Sequence, residues 1–102
     1  MIESLTHEAL EEHVGSTFAI EPSERLEETE AIELELVEVF AHENSTRSNR
    51  IPFSAVFHGP EQPFLQQSIY PLQHAAFGPI DLFLVPLGPA GEGKMAYEAV
   101  FT

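Results

Sequence analysis

A chain of 102 residues is enough for one domain, and with 43% hydrophobic residues it can bury a core without covalent staples. It has no cysteine, which excludes a disulfide framework, a thiol nucleophile and a cysteine-based zinc site. Seventeen acids against four bases leave a net charge of −13, which opposes binding to nucleic-acid phosphates and anionic lipid; it suits solubility, or docking of a basic partner or a cation.

The first stretch, LTHEALEEHVG, has helical spacing, with Leu5, Ala9, Leu10 and Val14 near one stripe. Thr6 is placed to cap it, Glu8 suits the first turn, and Gly15 is a natural stop. The same segment is acidic and lacks the basic and apolar regions of a leader, so synthesis in the cytoplasm is expected. No apolar run approaches the ~20 residues that span a bilayer. STFAIEP then reads as a short strand stopped by Pro22, and PSERLEETEA as a solvated loop or edge.

IELELVEVFAHE is the longest strand candidate. Ile32, Leu34 and Leu36 share one face, after which the phase slips to Val37, Val39 and Ala41. Side chains alternate with period two, so keeping both sets inward needs one extra residue, a β-bulge at Leu36–Val37. Cover on both faces is the alternative, and it would also account for Phe40. NSTRSNR is a polar hairpin loop, its Asn44-Ser45-Thr46 sequon a chance match, and IPFSAVFHG a strand with Ile51, Phe53, Ala55 and Phe57 on one face. Pro52 suggests that this strand begins at an edge. Gly59-Pro60, Gly78-Pro79 and Gly88-Pro89 read as turns. The nearly all-apolar run Ile80 to Leu87 reads as a strand covered on both sides.

GPAGEGK reads as a hairpin connection rather than a phosphate loop, since Lys94 opens a strand and not a helix. In the closing MAYEAVF, Met95, Tyr97, Ala99 and Phe101 form the core face. This strand is expected to complete the sheet or close a barrel, against the first strand near Phe18 and Ile20. The expected fold is therefore mainly β, a small antiparallel barrel or sandwich of about six strands. It is a single domain over 1–102, with a helix inside 1–15 and the sheet from 16 to 102.

Candidate chemistry is thin. His7 and His13 are six apart, which puts them ~240° around a helix and unable to share a metal there. His42 and His58, with Glu43, allow a two-histidine, one-carboxylate site if their strands pair. A serine triad can be assembled from Ser54 or Ser68, His58 or His74, and Asp81, but neither serine sits in a nucleophile elbow. Asp81, the single aspartate, is the acid to check for burial, with turn capping as its ordinary role. Phe64, in a polar, proline-rich loop, is either a lid on the core or a partner anchor. Arg47 and Arg50, two of the four bases, pair with the glutamates or grip a partner's carboxylates.

The stretches LTHEALEEHVGSTFAI, RIPFSAVFHGP, LQQSIYPLQHAAFGPIDLFLVPLGP and YEAVF make nearly the whole chain resemble a bacterial family of proteins of about this length, defined by a domain of unknown function. They are packing and turn residues, so the resemblance implies a fold and carries over no catalytic residue. It also implies a setting, because members tend to be encoded near phage-tail-collar or fibre-like proteins. The reading is a non-enzymatic interaction or structural module, an accessory factor or subunit of a phage-tail-like or fibre-like assembly. It needs no cofactor or metal and has a protein partner, with Phe64, Arg47 and Arg50 as contact candidates. A small barrel holding an apolar ligand and a metal-dependent hydrolase using the strand histidines are the alternatives.

Overall fold

The computed structural model describes residues 7–21, 31–41, 53–61, 64–91 and 93–101. A short helix, α1 (His7–Glu11), precedes six strands: β1 (Thr17–Ile20), β2 (Ile32–Ala41), β3 (Phe53–Pro60), β4 (Ser68–His74), β5 (Gly78–Gly91) and β6 (Lys94–Phe101). Every pairing is antiparallel, and the order β1-β2-β3-β6-β5-β4 closes through β1 against β4 into a barrel. Closure removes the exposed edges that an open sheet would offer to other chains.

Period-two alternation decides which residues point inward. Ile32, Leu34 and Leu36 of β2, Phe53, Ala55 and Phe57 of β3, and Tyr97 and Ala99 of β6 are buried in one core with Phe18, Ile20, Leu72, Leu82 and Leu84. The expected bulge is present. Leu36 pairs with Phe57 and Glu38 with Val56, so Val37 is the extra residue and Val39 returns to the core. Phe40 is exposed, so the far end of β2 is not covered on both faces. Gly59 is buried facing Leu34, and a Cβ there would collide with Leu34 Cδ2. The strands approach closely at this point because the residue has no side chain.

Four expectations are corrected. The helix stops at Glu11, a turn carries the chain to Gly15 at φ 97°, and of the proposed stripe Leu10 is buried while Val14 is exposed. Gly15 N–H donates to Leu36 O (2.7 Å) and Leu36 N–H to Ser16 O (3.0 Å), so this turn is pinned to β2 beside the bulge. None of the three Gly-Pro pairs ends a strand as a free turn. Gly59-Pro60 closes β3, Gly78-Pro79 opens β5, and Gly88-Pro89 lies inside β5 between two register shifts, with Gly88 at φ 135°. A glycine at positive φ bends a strand at a bulge without breaking it.

The run Ile80–Leu87 is one-sided. Ile80, Leu82 and Leu84 are buried while Phe83 and Leu87 are exposed, because the closed barrel leaves its outer face bare. Finally, β6 lies between β3 and β5 and does not pair with β1. Phe101 is only partly buried, stacked on Phe53 with ring centroids 4.5 Å apart and planes at 11°. The Thr6 cap, Pro22, Ile51 and Pro52 lie outside the described residues.

Candidate functional site

A cluster of polar side chains around buried His74 gathers at one end of β4, where the turn after α1 meets the β4–β5 hairpin. His74, the last residue of β4, is buried. Its Nε2 lies 2.9 Å from Ser16 Oγ, and its Nδ1 accepts the Ala76 N–H at 3.0 Å. Ser16 Oγ in turn donates to His13 O at 2.6 Å. The imidazole also packs against Phe18 (centroids 4.3 Å apart), Phe77 (4.9 Å) and, edge to face, His13 (5.0 Å).

These partners set the direction of every proton. A neutral imidazole has one donor and one acceptor nitrogen. Nδ1 is occupied by an incoming N–H, so Nε2 carries the hydrogen and donates to Ser16 Oγ, whose own hydrogen goes to a carbonyl. A serine nucleophile needs the reverse, a histidine nitrogen that takes the hydroxyl proton. The chain of hydrogen bonds therefore locks the hairpin to the helix turn instead of activating a hydroxyl. The His74 pKa is lowered, first by burial and then by the charge of nearby His13, which fits a ring held neutral.

The other sequence-level candidates are dispersed. Ser54 is buried near the start of β3, and Ser68 opens β4 opposite Leu84. Asp81 is exposed opposite Pro71, so it neither caps a turn nor faces a histidine. His58 pairs with Glu35, at the far end of the β2–β3 ladder from Ala41, the neighbour of His42. His42, Glu43, Arg47, Arg50 and the side chain of His7 lie outside the described residues. Among the described residues no three His, Asp or Glu side chains are placed to share a metal ion.

An open groove of about 290 Å³ runs beside His58, walled by Glu33, Glu35, Pro60, Gly93 and Lys94. Its walls are polar and apolar in about equal measure and it opens to solvent, unlike the mostly apolar clefts that enclose small molecules. Among the described residues, Phe18, Phe57 and Tyr97 are fully buried inside the barrel.

The outer surface is the less ordinary part. Val14, Phe40, Phe64, Ile69, Phe83, Leu87 and Val100 are all large, apolar and exposed. Phe64 is 50% exposed, and the lid role falls to its neighbour Leu65, which is fully buried with its N–H donating to Tyr97 Oη at 3.0 Å. Tyr70 Oη donates to Gln66 O at 2.6 Å, so two tyrosines hold the segment that presents Phe64. The sequence reading places Phe83 in a strand covered on both sides and Val100 on the face of the last strand opposite its core set, and it does not single out Ile69. Their exposure was visible only as alternation with Leu82, Leu84, Tyr70 and Ala99.

The chain belongs to a family defined by a domain of unknown function (DUF6916), whose model matches residues 5–101. No curated protein and no solved structure matches it.

Proposed function

We propose that this member of the family is a non-enzymatic protein-interaction or structural module, and that its partner is a protein. The observation that carries the reading is Phe64, a half-exposed aromatic on a segment fastened from beneath by Leu65, Tyr97 and Tyr70. An anchor held in place before binding loses little freedom when it docks, and aromatic anchors dominate binding energy. The polar centre at His74 supports the same reading from the other side, since each of its hydrogen bonds is spent within the chain. Among the described residues no helix is long and apolar enough to cross a membrane.

The setting in a bacterial phage-tail-like or fibre-like assembly rests on the resemblance of its packing stretches. Arg47 and Arg50 join Phe64 as contact candidates on their chemistry alone. The test is affinity purification of the full chain from its native host with identification by mass spectrometry, repeated with Phe64→Ala. A specific protein recovered by the wild type and lost or strongly depleted with the variant supports the reading. Recovery of no specific protein, or turnover of a small-molecule substrate dependent on His74 or His58, defeats it.

A further inference from the structure

Four of the exposed apolar residues are not scattered. In the β4–β5 register Ile69 pairs with Phe83. In the β5–β6 register Leu84 pairs with Ala99, so the next antiparallel step sets Phe83 beside Val100. Val100 pairs with Ser54, and Ser54 with Phe40. One row therefore crosses five adjacent strands, β4, β5, β6, β3 and β2, with Ser54 fully buried between Val100 and Phe40. Along it Ile69 is 56% exposed, Phe83 47%, Val100 52% and Phe40 37%.

At half of the ~200 Å² that a large apolar side chain can bury, four such residues leave on the order of 400 Å² facing water along this row, the size of the largest apolar patch on a typical soluble monomer, which is often functional. Elsewhere the outer face is of the ordinary kind. The row through Thr17, Glu35, His58 and Ala96 carries polar side chains at three of its four places.

Among the described residues, the charges beside the belt have one sign. In the neighbouring row on one side, Glu38 and Glu98 both pair with Val56. On the other side Asp81, two residues from Phe83, pairs with Pro71. Among the described residues of these flanking rows every charged side chain is a carboxylate. A second copy of this chain would bring those carboxylates against their own kind, on molecules that each carry −13. Like charges placed opposite one another oppose pairing.

Building on the interaction reading above, we infer that this belt is a docking surface for a cationic amphipathic segment of another protein. Apolar side chains of that segment cover Phe83, Val100, Ile69 and Phe40, and its lysines or arginines meet Glu38, Glu98 and Asp81. The apolar belt supplies the desolvated centre and the carboxylates the rim that steers approach.

The experiment uses the full chain and three synthetic peptides: an amphipathic helix of leucine and lysine, its leucine–glutamate counterpart, and a lysine peptide without leucine. Binding is followed by calorimetry at low and high salt, and folding of each variant by circular dichroism. The leucine–lysine peptide is expected to bind and the other two to bind at least about tenfold more weakly. Phe83→Ser with Val100→Ser should weaken its binding by about tenfold or more. Glu38→Gln with Glu98→Gln, which leaves the apolar belt intact, should flatten the salt dependence. Val14→Ser, an exposed apolar residue outside the row, should change nothing.

Equal binding of the leucine–glutamate peptide, or binding insensitive to the belt variants, overturns the inference. So does dimerisation of the free protein that Phe83→Ser abolishes, which would make a second copy the occupant. A native partner that binds the belt variants as tightly as wild type also overturns it and leaves the interaction reading standing. If instead the peptide binds the belt as described and no native protein is recovered, the belt chemistry stands and the interaction reading fails.

Discussion

Tyr97→Phe removes a single oxygen from the middle of the barrel. The ring of Tyr97 is fully buried, and its hydroxyl accepts the N–H of Leu65, which is itself buried. The variant keeps the ring in place and leaves that N–H without its partner. An orphaned buried donor costs about 1–3 kcal/mol, more than the net worth of the bond it made. At about 4–8 °C per kcal/mol for a domain of this size, the melting temperature should fall by about 5–20 °C. Thermal unfolding by circular dichroism reads this, and urea titration should show a lower midpoint with an unchanged slope. Leu65→Ala, which empties a fully buried site, should cost about 2–5 kcal/mol. Phe64→Ala, one residue away and half in solvent, should stay within about 0.5 kcal/mol.

The same hydroxyl resists ionisation. Burial raises its pKa, the Leu65 N–H bond works against that, and Tyr70 adds to the rise. The folded state thus favours the neutral phenol, so its contribution is present below the unfolded value near pH ~10 and is lost as pH rises through and beyond it. Wild type should lose stability in alkali more steeply than Tyr97→Phe. A variant melting within about 2 °C of wild type would refute the pinning of the Leu65 segment.

Three further outcomes follow from the same structure. His74 has a lowered pKa, so the unfolded chain takes up its proton first on acidification; stability should be full above pH ~6.5 and fall below it, less so in His74→Leu, as read by denaturant titrations at stepped pH. Gly59→Ala forces a Cβ into Leu34 Cδ2 and should cost about 1–3 kcal/mol; Leu34→Ala beside it should relieve part of that, so the double variant falls short of the sum. Phe101→Ala should cost about half of the ~3–5 kcal/mol of a fully buried phenylalanine, because the ring is only partly covered, whereas Phe53→Ala should approach the full figure in the same melts.

Much of the architecture was legible along the chain because strand side chains alternate with an invariant period of two. That rule alone yields the inward faces of β2, β3 and β6, and it turns the phase slip after Leu36 into a bulge at Val37. The family does not come from that rule; it is shown by the match over residues 5–101, which the resemblance of the quoted stretches anticipated. Local pattern is silent on which strand lies beside which, because pairing joins residues far apart in sequence. Placing β6 between β3 and β5, and closing the barrel through β1 and β4, are therefore decisions of the tertiary structure.

The same holds for Gly88-Pro89. Read locally it is a turn, but its neighbours in β6 take up the bend and the strand runs on. An apolar run such as Ile80–Leu87 shows that residues can be buried, not that a second layer exists to bury both faces. A closed barrel has one interior, and it leaves Phe83 outside. Hence the hydrogen-bonded pocket around His74 and the belt through Phe40, Val100, Phe83 and Ile69 arise only on closure. Each joins side chains that the sequence keeps apart, and backbone register carries them to one place.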